Sequence, residues 1–271
     1  MKSIVSTLTH VIPSQARDSV YAVTSLGDYV FVVRHNSQQI EVYDAESVQL
    51  QRHITVPGLG RWPYGLAACD ANHCVYASDW HNDSIHRVEL SGSNAVKKWS
   101  AERRPTGLSV NKAHNLVVAC YLANKLQEYT THGSLLREIC LQAGVTYPRH
   151  AVQLSTGLYV VSQWTSPGVV SVVGVDGQVI HSYGQSPTTS IGEMKCPTSL
   201  AVNKNDDILV ADRDDKRILS IIRSTGCVQE LALSVDDGIQ GPCGLCLDEL
   251  RGRLYVGEWA GEYRVLVFDC A

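Results

Sequence analysis

Three residues have side chains suited to acid–base chemistry or anion binding at a shared site: His150, Arg34 and Tyr64. A histidine can act as a general base near neutral pH, an arginine can hold an anionic group, and a tyrosine can donate a hydrogen bond. They can act together only if the fold brings them to one cavity. His150 has a second interpretation, as a hydrogen-bonded structural histidine, and the sequence alone assigns no residue a catalytic role.

A larger set of aromatic and arginine residues could form a binding surface. Tryptophan, tyrosine and arginine are the residue types that most often dominate binding energy at protein interfaces. The set comprises Arg34, Arg61, Trp62, Tyr64, Trp80, Arg103, Arg104, Tyr121, Tyr147, Arg149, Trp164, Arg213 and Trp259. The competing interpretation is that the tryptophans pack between structural elements, and that the arginines are solvated or paired with Asp79, Asp212 or Asp214.

The cysteines and glycines form no motif that indicates other chemistry. There is no phosphate-binding loop, no nucleophile elbow and no dinucleotide fingerprint. The nine cysteines are scattered, and most resemble small apolar strand residues. Cys69 and Cys74 flank a short turn, so a disulfide between them stays open. Cys243 and Cys246 would point to opposite faces of a strand, and we therefore expect no metal site and no cofactor.

Length and composition indicate one domain. The chain has 271 residues, a net charge of −4 and 44% hydrophobic residues, with no linker that separates two compositions. These values exclude a globally basic nucleic-acid binder, although a local basic patch is compatible with them. The N-terminal segment lacks the apolar core of a signal peptide, and no apolar run is long enough to span a membrane. The expected location is the cytoplasm.

A repeat positions the candidate residues. Segments that open with a proline and a short apolar stretch recur 42 to 49 residues apart, at Pro63, Pro105, Pro148, Pro197 and Pro242. A degenerate copy, VYAVTS, starts at Val20. Each copy continues with a second β-prone run, such as ILVAD or LYVGE, followed by a turn and a third run. Four short strands in about 45 residues are typical of one blade of a β-propeller.

The two ends of the chain complete this pattern. The last copy stops at its third strand, VLVFDCA, and the first copy is preceded by an extra strand, SIVSTLTHV. Pairing the extra strand with the last blade closes the ring without an open edge. The sequence therefore predicts an all-β, six-bladed propeller with four-stranded antiparallel blades, in a single domain over 1–271. The predicted boundaries are a closing strand at 4–11 and blades at 17–58, 61–102, 103–144, 146–194, 195–240 and 241–271.

The repeat register predicts which residues share a face. In an up-and-down blade, the loop before the first strand and the end of the second strand lie on the same side of the ring. Four of the five tryptophans occupy such positions, whereas Trp99 falls in a fourth strand and is expected to be structural. His150 stands where other copies have a small residue, so we expect it to point toward the ring axis. Those small residues are Gly65, Gly107, Ser199 and Gly244.

These repeats resemble the NHL-repeat propellers, best known from the C-terminal domain of TRIM-type proteins. The match is clearest in PTSLAVNKNDDILVADRDDKRILSII, from Pro197 to Ile222, and in the segment from Pro63 to Leu90. The resemblance covers essentially the whole chain and implies the fold, with protein or RNA binding as the expected activities. The family's aspartate at the end of the second strand is present in two copies, at Asp79 and Asp212. The other copies carry Arg34, Cys120, Gln163 and Glu258.

Two families of propeller enzymes provide alternatives. Peptidylglycine amidating lyase is similar in fold and binds zinc through histidines that directly follow the opening proline of three blades. The residues at that position here are Tyr64, Thr106, Arg149, Thr198 and Cys243. None is histidine, so that zinc site is not expected. Gluconolactonase-type propellers hold a divalent ion with Glu, Asn and Asp, for which Asp79 and Glu258 are the candidates, without a convincing third ligand.

Taken together, the residues favour a non-enzymatic recognition module that binds through its aromatic, arginine-rich face. The ligand is a protein or peptide, or a single-stranded RNA, and the acidic net charge slightly favours a protein. The alternative is a propeller enzyme, a lyase or hydrolase, that acts in the central channel around His150 and Arg34. We expect a monomeric propeller within a larger protein, without membrane association.

Overall fold

The computed structural model describes residues 6–14, 18–184, 193–222, 227–230 and 233–270. Within these ranges the chain forms 24 β-strands and one 3₁₀ turn at Val235–Asp237. The strands form six separate four-stranded antiparallel sheets, which we number as blades 1 to 6 in chain order. The predicted six-bladed β-propeller is confirmed. No helix in the described part of the chain is long and apolar enough to cross a membrane.

The blades follow one another along the chain, and each has its first strand at the ring axis and its fourth at the rim. Blades 1 to 3 consist of β2 (Val20–Leu26), β3 (Tyr29–Arg34), β4 (Gln39–Asp44) and β5 (Leu50–Thr55); β6 (Leu66–Cys69), β7 (Cys74–Asp79), β8 (Ser84–Glu89) and β9 (Val96–Ser100); and β10 (Pro105–Val110), β11 (Leu116–Cys120), β12 (Lys125–Tyr129) and β13 (Leu135–Cys140). Blades 4 to 6 consist of β14 (Pro148–Gln153), β15 (Tyr159–Gln163), β16 (Val169–Val173) and β17 (Val179–Tyr183); β18 (Pro197–Val202), β19 (Ile208–Asp212), β20 (Arg217–Ile222) and β21 (Cys227–Glu230); and β22 (Pro242–Asp248), β23 (Arg253–Glu258), β24 (Val265–Cys270) and the leading strand β1 (Ser6–Ile12).

The leading strand closes the ring. β1 pairs antiparallel with β24, from Ser6 opposite Cys270 to Ile12 opposite Val265. Ile12 is buried in a hydrophobic cluster that also contains Val20 of blade 1. The strand thus joins the last blade to the first, as the sequence predicts, although it extends to residue 12. Residues 4 and 5 of the predicted closing strand lie outside the described residues.

The second strand of each blade lies between neighbouring blades and is buried on both faces. Every side chain of β7, β11, β15, β19 and β23 is buried. A strand covered on both sides needs apolar residues at consecutive positions, which explains runs such as LVVAC. Phe31 of blade 1, for example, shares a cluster with Val75 and Ala77 of blade 2. The fourth strands β5 and β13, by contrast, expose most of their side chains.

A polar residue at the end of the second strand holds the loop that precedes the first strand. The Asp79 carboxylate accepts hydrogen bonds from the backbone N–H of Gly60 (2.9 Å) and from Asn82 Nδ2 (2.7 Å). Gln163 accepts from the Thr146 N–H (2.9 Å), and Glu258 accepts from the Gln240 N–H (2.6 Å). Gln163 and Glu258 therefore perform the role that Asp79 has in its own blade, despite the change of residue.

This role explains why Asp79 and Glu258 do not form a cage for a divalent ion. Glu258 also pairs with the Arg264 guanidinium at 3.0 Å, within its own blade. Burial raises the pKa of Asp79, but the adjacent His86 imidazole and the hydrogen bonds from Asn82 and Gly60 outweigh it and lower that pKa to about 2. The carboxylates of Asp79 and Glu258 thus bind groups of their own, separate blades. Among the described residues, no three His, Cys, Asp or Glu side chains gather as a metal site requires.

The cysteine pair that the sequence left open is not a disulfide. Cys69 and Cys74 are directly opposite each other at the end of the β6–β7 hairpin. Both are free, buried thiols within a hydrophobic cluster, and burial raises the pKa of the Cys74 thiol. They serve as small apolar residues, as expected for the other cysteines.

Candidate functional site

β-Bulges direct one residue of several first strands away from the regular sheet. The extra residue of each bulge has no partner in the second strand, and in blades 1, 4, 5 and 6 these residues are Tyr21, Arg149, Thr198 and Cys243. A bulge bends its strand and redirects the side chain. Tyr21, Arg149 and Cys243 line one cavity, whereas the Thr198 hydroxyl bonds to backbone carbonyls.

That cavity, which we call the aromatic cup, has a volume of about 340 Å³ and lies at one mouth of the central channel. Its walls come from every blade except blade 3, through the bulges and the loops beside them. The lining residues are Ser19, Tyr21, His35, Trp62, Tyr64, Arg149, Trp164, Arg213, Cys243 and Trp259. Six of them belong to the predicted binding set. The repeat register thus predicted that these residues, distant in sequence, lie close together.

The loops that carry the cup are held by backbone hydrogen bonds between the end of each second strand and the loop before the first strand. The Trp164 N–H donates to the Tyr147 carbonyl at 3.0 Å, and the Trp80 N–H donates to the Trp62 carbonyl at 3.3 Å. The Trp259 N–H donates to the Gly241 carbonyl at 2.8 Å. These bonds place the end of the second strand and the loop before the first strand on the same side of the ring, as the repeat register predicts.

Further predicted residues form a rim beside the cup. The Arg104 guanidinium lies 4.1 Å from the ring centroid of Trp80, whose ring is 5.8 Å from that of Trp62. On the other side, Tyr121 contacts Tyr147 and Trp164, with ring centroids 5.1 and 5.9 Å apart. We call Trp80, Arg104, Tyr121 and Tyr147 the aromatic rim. Arg61 and Arg103 are exposed and lie outside the lining of the cup.

Arg34 is located elsewhere. Its guanidinium pairs with the Glu41 carboxylate at 2.9 Å and donates to the Tyr263 carbonyl at 2.7 Å. It lines a different cavity, of about 470 Å³, between blade 1 and the closing strand, together with Val11 and His53. The expectation that Arg34 lies in the binding face or the central channel is therefore wrong, because Glu41 on the adjacent strand β4 draws the side chain outward.

His150 points toward the ring axis, as predicted, and both of its ring nitrogens are occupied. Its Nδ1 accepts a hydrogen bond from the Leu200 N–H at 3.0 Å, so Nε2 carries the proton and donates to the Leu108 carbonyl at 3.0 Å. The histidine on β14 thus links blades 3 and 5. A Cβ atom at Gly107 would lie 2.6 Å from the imidazole, which explains the glycine there.

The channel is constricted at this histidine. The cavity lined by His150, Gly65, Gly107, Ser199 and Gly244 has a volume of only about 20 Å³, roughly the space of one water molecule. Burial lowers the pKa of His150 to about 4, so the imidazole is neutral at pH 7. These facts support the structural interpretation of His150 and leave no room for a substrate beside it.

The electrostatics of the cup favour anions. Arg149 is only 3% exposed, and its guanidinium lies 4.3 Å from the ring centroid of Tyr64. The Arg213 guanidinium lies 5.0 Å from the Trp259 ring and pairs with Asp214 at 2.8 Å. No aspartate or glutamate belongs to the lining. The cup is thus an aromatic cavity with two guanidinium groups and no carboxylate in its wall.

Two tyrosines contribute hydroxyl groups that remain protonated. Burial, followed by the neighbouring Tyr64, raises the pKa of Tyr21, and burial likewise raises the pKa of Tyr64. Their ring centroids are 4.6 Å apart. The two side chains also share a hydrogen bond, and because both hydroxyls keep their protons at neutral pH, they add no negative charge to the cup.

The predicted binding set lacked four residues of the cup: Ser19, Tyr21, His35 and Cys243. Tyr21 follows Val20, which replaces the opening proline in blade 1, so the repeat position itself would have identified it. Cys243 and His35 occupy repeat positions that were already considered. Ser19 carries no signal in its residue type, and its hydroxyl bonds to the Trp259 carbonyl at 2.8 Å.

The fold and this cavity define a six-bladed β-propeller with an aromatic, cationic cup at one end of its channel. Residues 194–219 match the NHL repeat, which agrees with the resemblance seen in the sequence. No curated protein sequence matches the chain significantly.

Solved structures similar to this chain are other propellers. A streptogramin B lyase is 15% identical with a TM-score of 0.68, and the alignment covers 100% of both chains. Virginiamycin B lyase from Staphylococcus aureus is 12% identical with a TM-score of 0.69, over 98% of this chain and 99% of the lyase; a catalytically inactive form of it has been crystallised with quinupristin. Hydrazine synthase from Kuenenia stuttgartiensis is 13% identical with a TM-score of 0.68, over 96% and 97% of the two chains. At these identities the likeness shows the fold alone.

Proposed function

We propose that this propeller is a recognition module that binds an acidic protein segment across the aromatic cup and the aromatic rim. The observation that carries the proposal is the continuous aromatic surface around an open cavity. Trp164 and Trp259 are 39% and 41% exposed, although they are large apolar side chains. Tryptophan and arginine at the centre of a surface are typical hot spots, and guanidinium groups match carboxylates in geometry.

The competing packing interpretation applies to some of these residues only. Trp99 packs between Tyr76 and Tyr129 within blades 2 and 3, away from the cup, as expected for a structural tryptophan. Trp164 and Trp259 instead line the cup and contact Arg213 from two sides, at 5.5 and 5.0 Å. This difference in surroundings supports a binding role for the second group.

The test uses labelled probes and a matched variant. We expect a glutamate-rich peptide with aromatic residues to bind the wild type, and a variant with Trp80→Ala, Arg104→Ala and Trp164→Ala to bind at least about tenfold more weakly, because three contact groups are removed. Fluorescence anisotropy measures both dissociation constants. Trp99→Phe serves as the control and is expected to leave binding unchanged.

The same assay distinguishes protein from RNA. A uridine-rich single strand that binds tightly at low salt, and weakens steeply as salt rises, would favour RNA as the ligand. Equal binding of the peptide by the wild type and the triple variant would contradict the proposed surface. The cytoplasmic location, the monomeric state and a place in a larger TRIM-type protein stay predictions.

The second candidate function is an enzyme that acts in the aromatic cup. It is favoured by the likeness to two lyases in fold and by His35, which lines the cup 5.1 Å from the Trp62 ring. Histidine is the side chain most often used for proton transfer. This candidate predicts that the wild type converts quinupristin, as followed by liquid chromatography, and that His35→Ala abolishes the conversion. Absence of conversion by the wild type excludes this substrate.

A further inference from the structure

Arg149 is a buried cation without a matching anion. It is the extra residue of the β14 bulge, so its side chain is directed out of the sheet and into the cup. Among the described residues, its guanidinium has the face of the Tyr64 ring as its partner, 4.3 Å from the ring centroid. Among the residues that the structure describes, no carboxylate is within ion-pair distance of Arg149. A buried charge is costly unless an opposite charge or several hydrogen bonds compensate it, and a ring face compensates it only in part.

The residues around Arg149 indicate which kind of ligand group can compensate its positive charge. The Tyr64 ring lies against the Arg149 guanidinium and Tyr21 lies beside Tyr64, and both tyrosines are uncharged at neutral pH. Arg213 lies against the rings of Trp164 and Trp259, but Asp214 already pairs with it, which leaves Arg149 as the guanidinium in the cup wall without a carboxylate partner among the described residues. The guanidinium fork binds carboxylate and phosphate oxygens through two parallel hydrogen bonds. The deep end of the cup is therefore complementary to an anionic oxygen group.

The shape and walls of the cup define the rest of the ligand. A volume of about 340 Å³ is at the small end of ligand pockets, which range from about 300 to 1,000 Å³. Tyr21 and Trp62 stack on each other in one wall, with planes 19° apart, and the partly exposed Trp164 and Trp259 offer apolar surface in another part of the lining. Below the cup, the constriction of about 20 Å³ prevents a ligand from passing through. The cavity thus suits one ring with an acidic group attached.

We infer that the aromatic cup binds an aromatic group that carries a carboxylate or phosphate, with Arg149 as the residue that recognises the anion. This inference deepens the proposed recognition function, since such a group could be the terminal aromatic residue of a bound peptide. The same chemistry is present in a free aromatic acid or phosphate. The test therefore includes a peptide-like probe and a free one.

The probes are N-acetyl-phenylalanine, which has a free carboxylate, its neutral amide, and phenyl phosphate. Tryptophan fluorescence or ligand-detected NMR measures their dissociation constants. We expect the wild type to bind the acid or phenyl phosphate at least about tenfold more tightly than the neutral amide. Tighter binding of N-acetyl-phenylalanine identifies a peptide terminus as the source, and tighter binding of phenyl phosphate identifies a phosphorylated ring. Equal binding of all three probes, or no binding of any probe at millimolar concentration, overturns the inference.

Substitutions at Arg149 test whether this residue causes the preference for an anionic probe. Arg149→Met is expected to abolish the preference for the anion while binding the neutral amide as the wild type does. Arg149→Lys keeps the charge but lacks the fork, so an intermediate preference is expected and provides a second test if the methionine variant does not fold. Arg61→Met, an exposed arginine outside the lining, is the control. An unchanged preference in Arg149→Met contradicts the role of Arg149.

The outcomes separate this inference from the proposed function. Anion selectivity that depends on Arg149, without peptide binding that depends on Trp80 and Arg104, supports the inference and contradicts the wider binding surface. Peptide binding that depends on the rim, with a cup that binds neither anionic probe more tightly than the neutral amide, supports the proposed function and overturns the inference.

Discussion

Deletion of residues 1–12 is expected to lower the free energy of unfolding by about 5 kcal/mol, comparable with the whole stability of many domains. The deletion removes β1, which pairs with β24 at six positions and buries Ile12 beside Val20 and Val267. The β24 edge then has unpaired backbone groups, and the apolar contact between blades 6 and 1 loses the part that Ile12 contributes. Urea unfolding measures the stability, and light scattering measures the association that an exposed strand edge promotes.

Adding back the missing strand as a peptide tests whether the loss of stability comes from β1 itself. A synthetic peptide with residues 6–12 is expected to raise the melting temperature of the truncated protein, because it can occupy the vacated edge. Leu8→Thr, on the exposed face of β1, is the control and is expected to change stability by no more than about 0.5 kcal/mol. An unfolding midpoint that does not change after truncation would show that the ring does not depend on this strand.

Replacing His150 with alanine is expected to cost about 2–4 kcal/mol of stability, because two hydrogen bonds between blades are lost and a cavity is left at the axis. The Leu200 N–H and the Leu108 carbonyl both lose their partner. Urea unfolding at pH 7 measures the effect. Stability within about 0.5 kcal/mol of the wild type would show that the imidazole is not a link between blades.

The lowered pKa of His150 also predicts that the free energy of unfolding depends on pH. Its pKa is about 4 in the folded protein and 6.5 without burial, so the unfolded chain binds a proton between these values that the folded chain does not. The contribution to stability is complete above pH 6.5 and is lost as pH falls toward 4, by about 3 kcal/mol in total. His150→Gln removes this part of the slope, whereas His53→Gln, at an exposed position, is expected to keep it. Equal slopes in the wild type and His150→Gln would contradict the assignment.

The fold was predictable from the sequence because the propeller repeats one short pattern. Proline openings 42 to 49 residues apart gave the number of blades, and SIVSTLTHV gave the closing strand. The aromatic cup was largely predictable for the same reason, since Trp62, Trp164 and Trp259 occupy equivalent ends of different repeats. Position within the repeat was enough to place residues almost 200 positions apart in one cavity.

Side-chain direction and long-range hydrogen bonds were not predictable in this way. Arg34 occupies a repeat position that faces the binding side, but its ion pair with Glu41 turns it to another cavity. The partners of His150 are 42 and 50 residues away in sequence, and no local pattern marks a carbonyl or an N–H as its partner. Tyr21 was missed because Val20 replaces the proline that identifies the other copies.

The walls of the aromatic cup come from five repeats, at bulges and loop positions that make few of the ladder hydrogen bonds. A substitution at one of these positions leaves the ladder hydrogen bonds of the sheets as they are, although side chains from neighbouring walls contact one another. Ligand preference in a lineage of such chains can therefore diverge with the sheets unchanged, while substitutions in contacting walls act together. Laboratory evolution restricted to the lining positions is thus a practical route to propellers with new specificities.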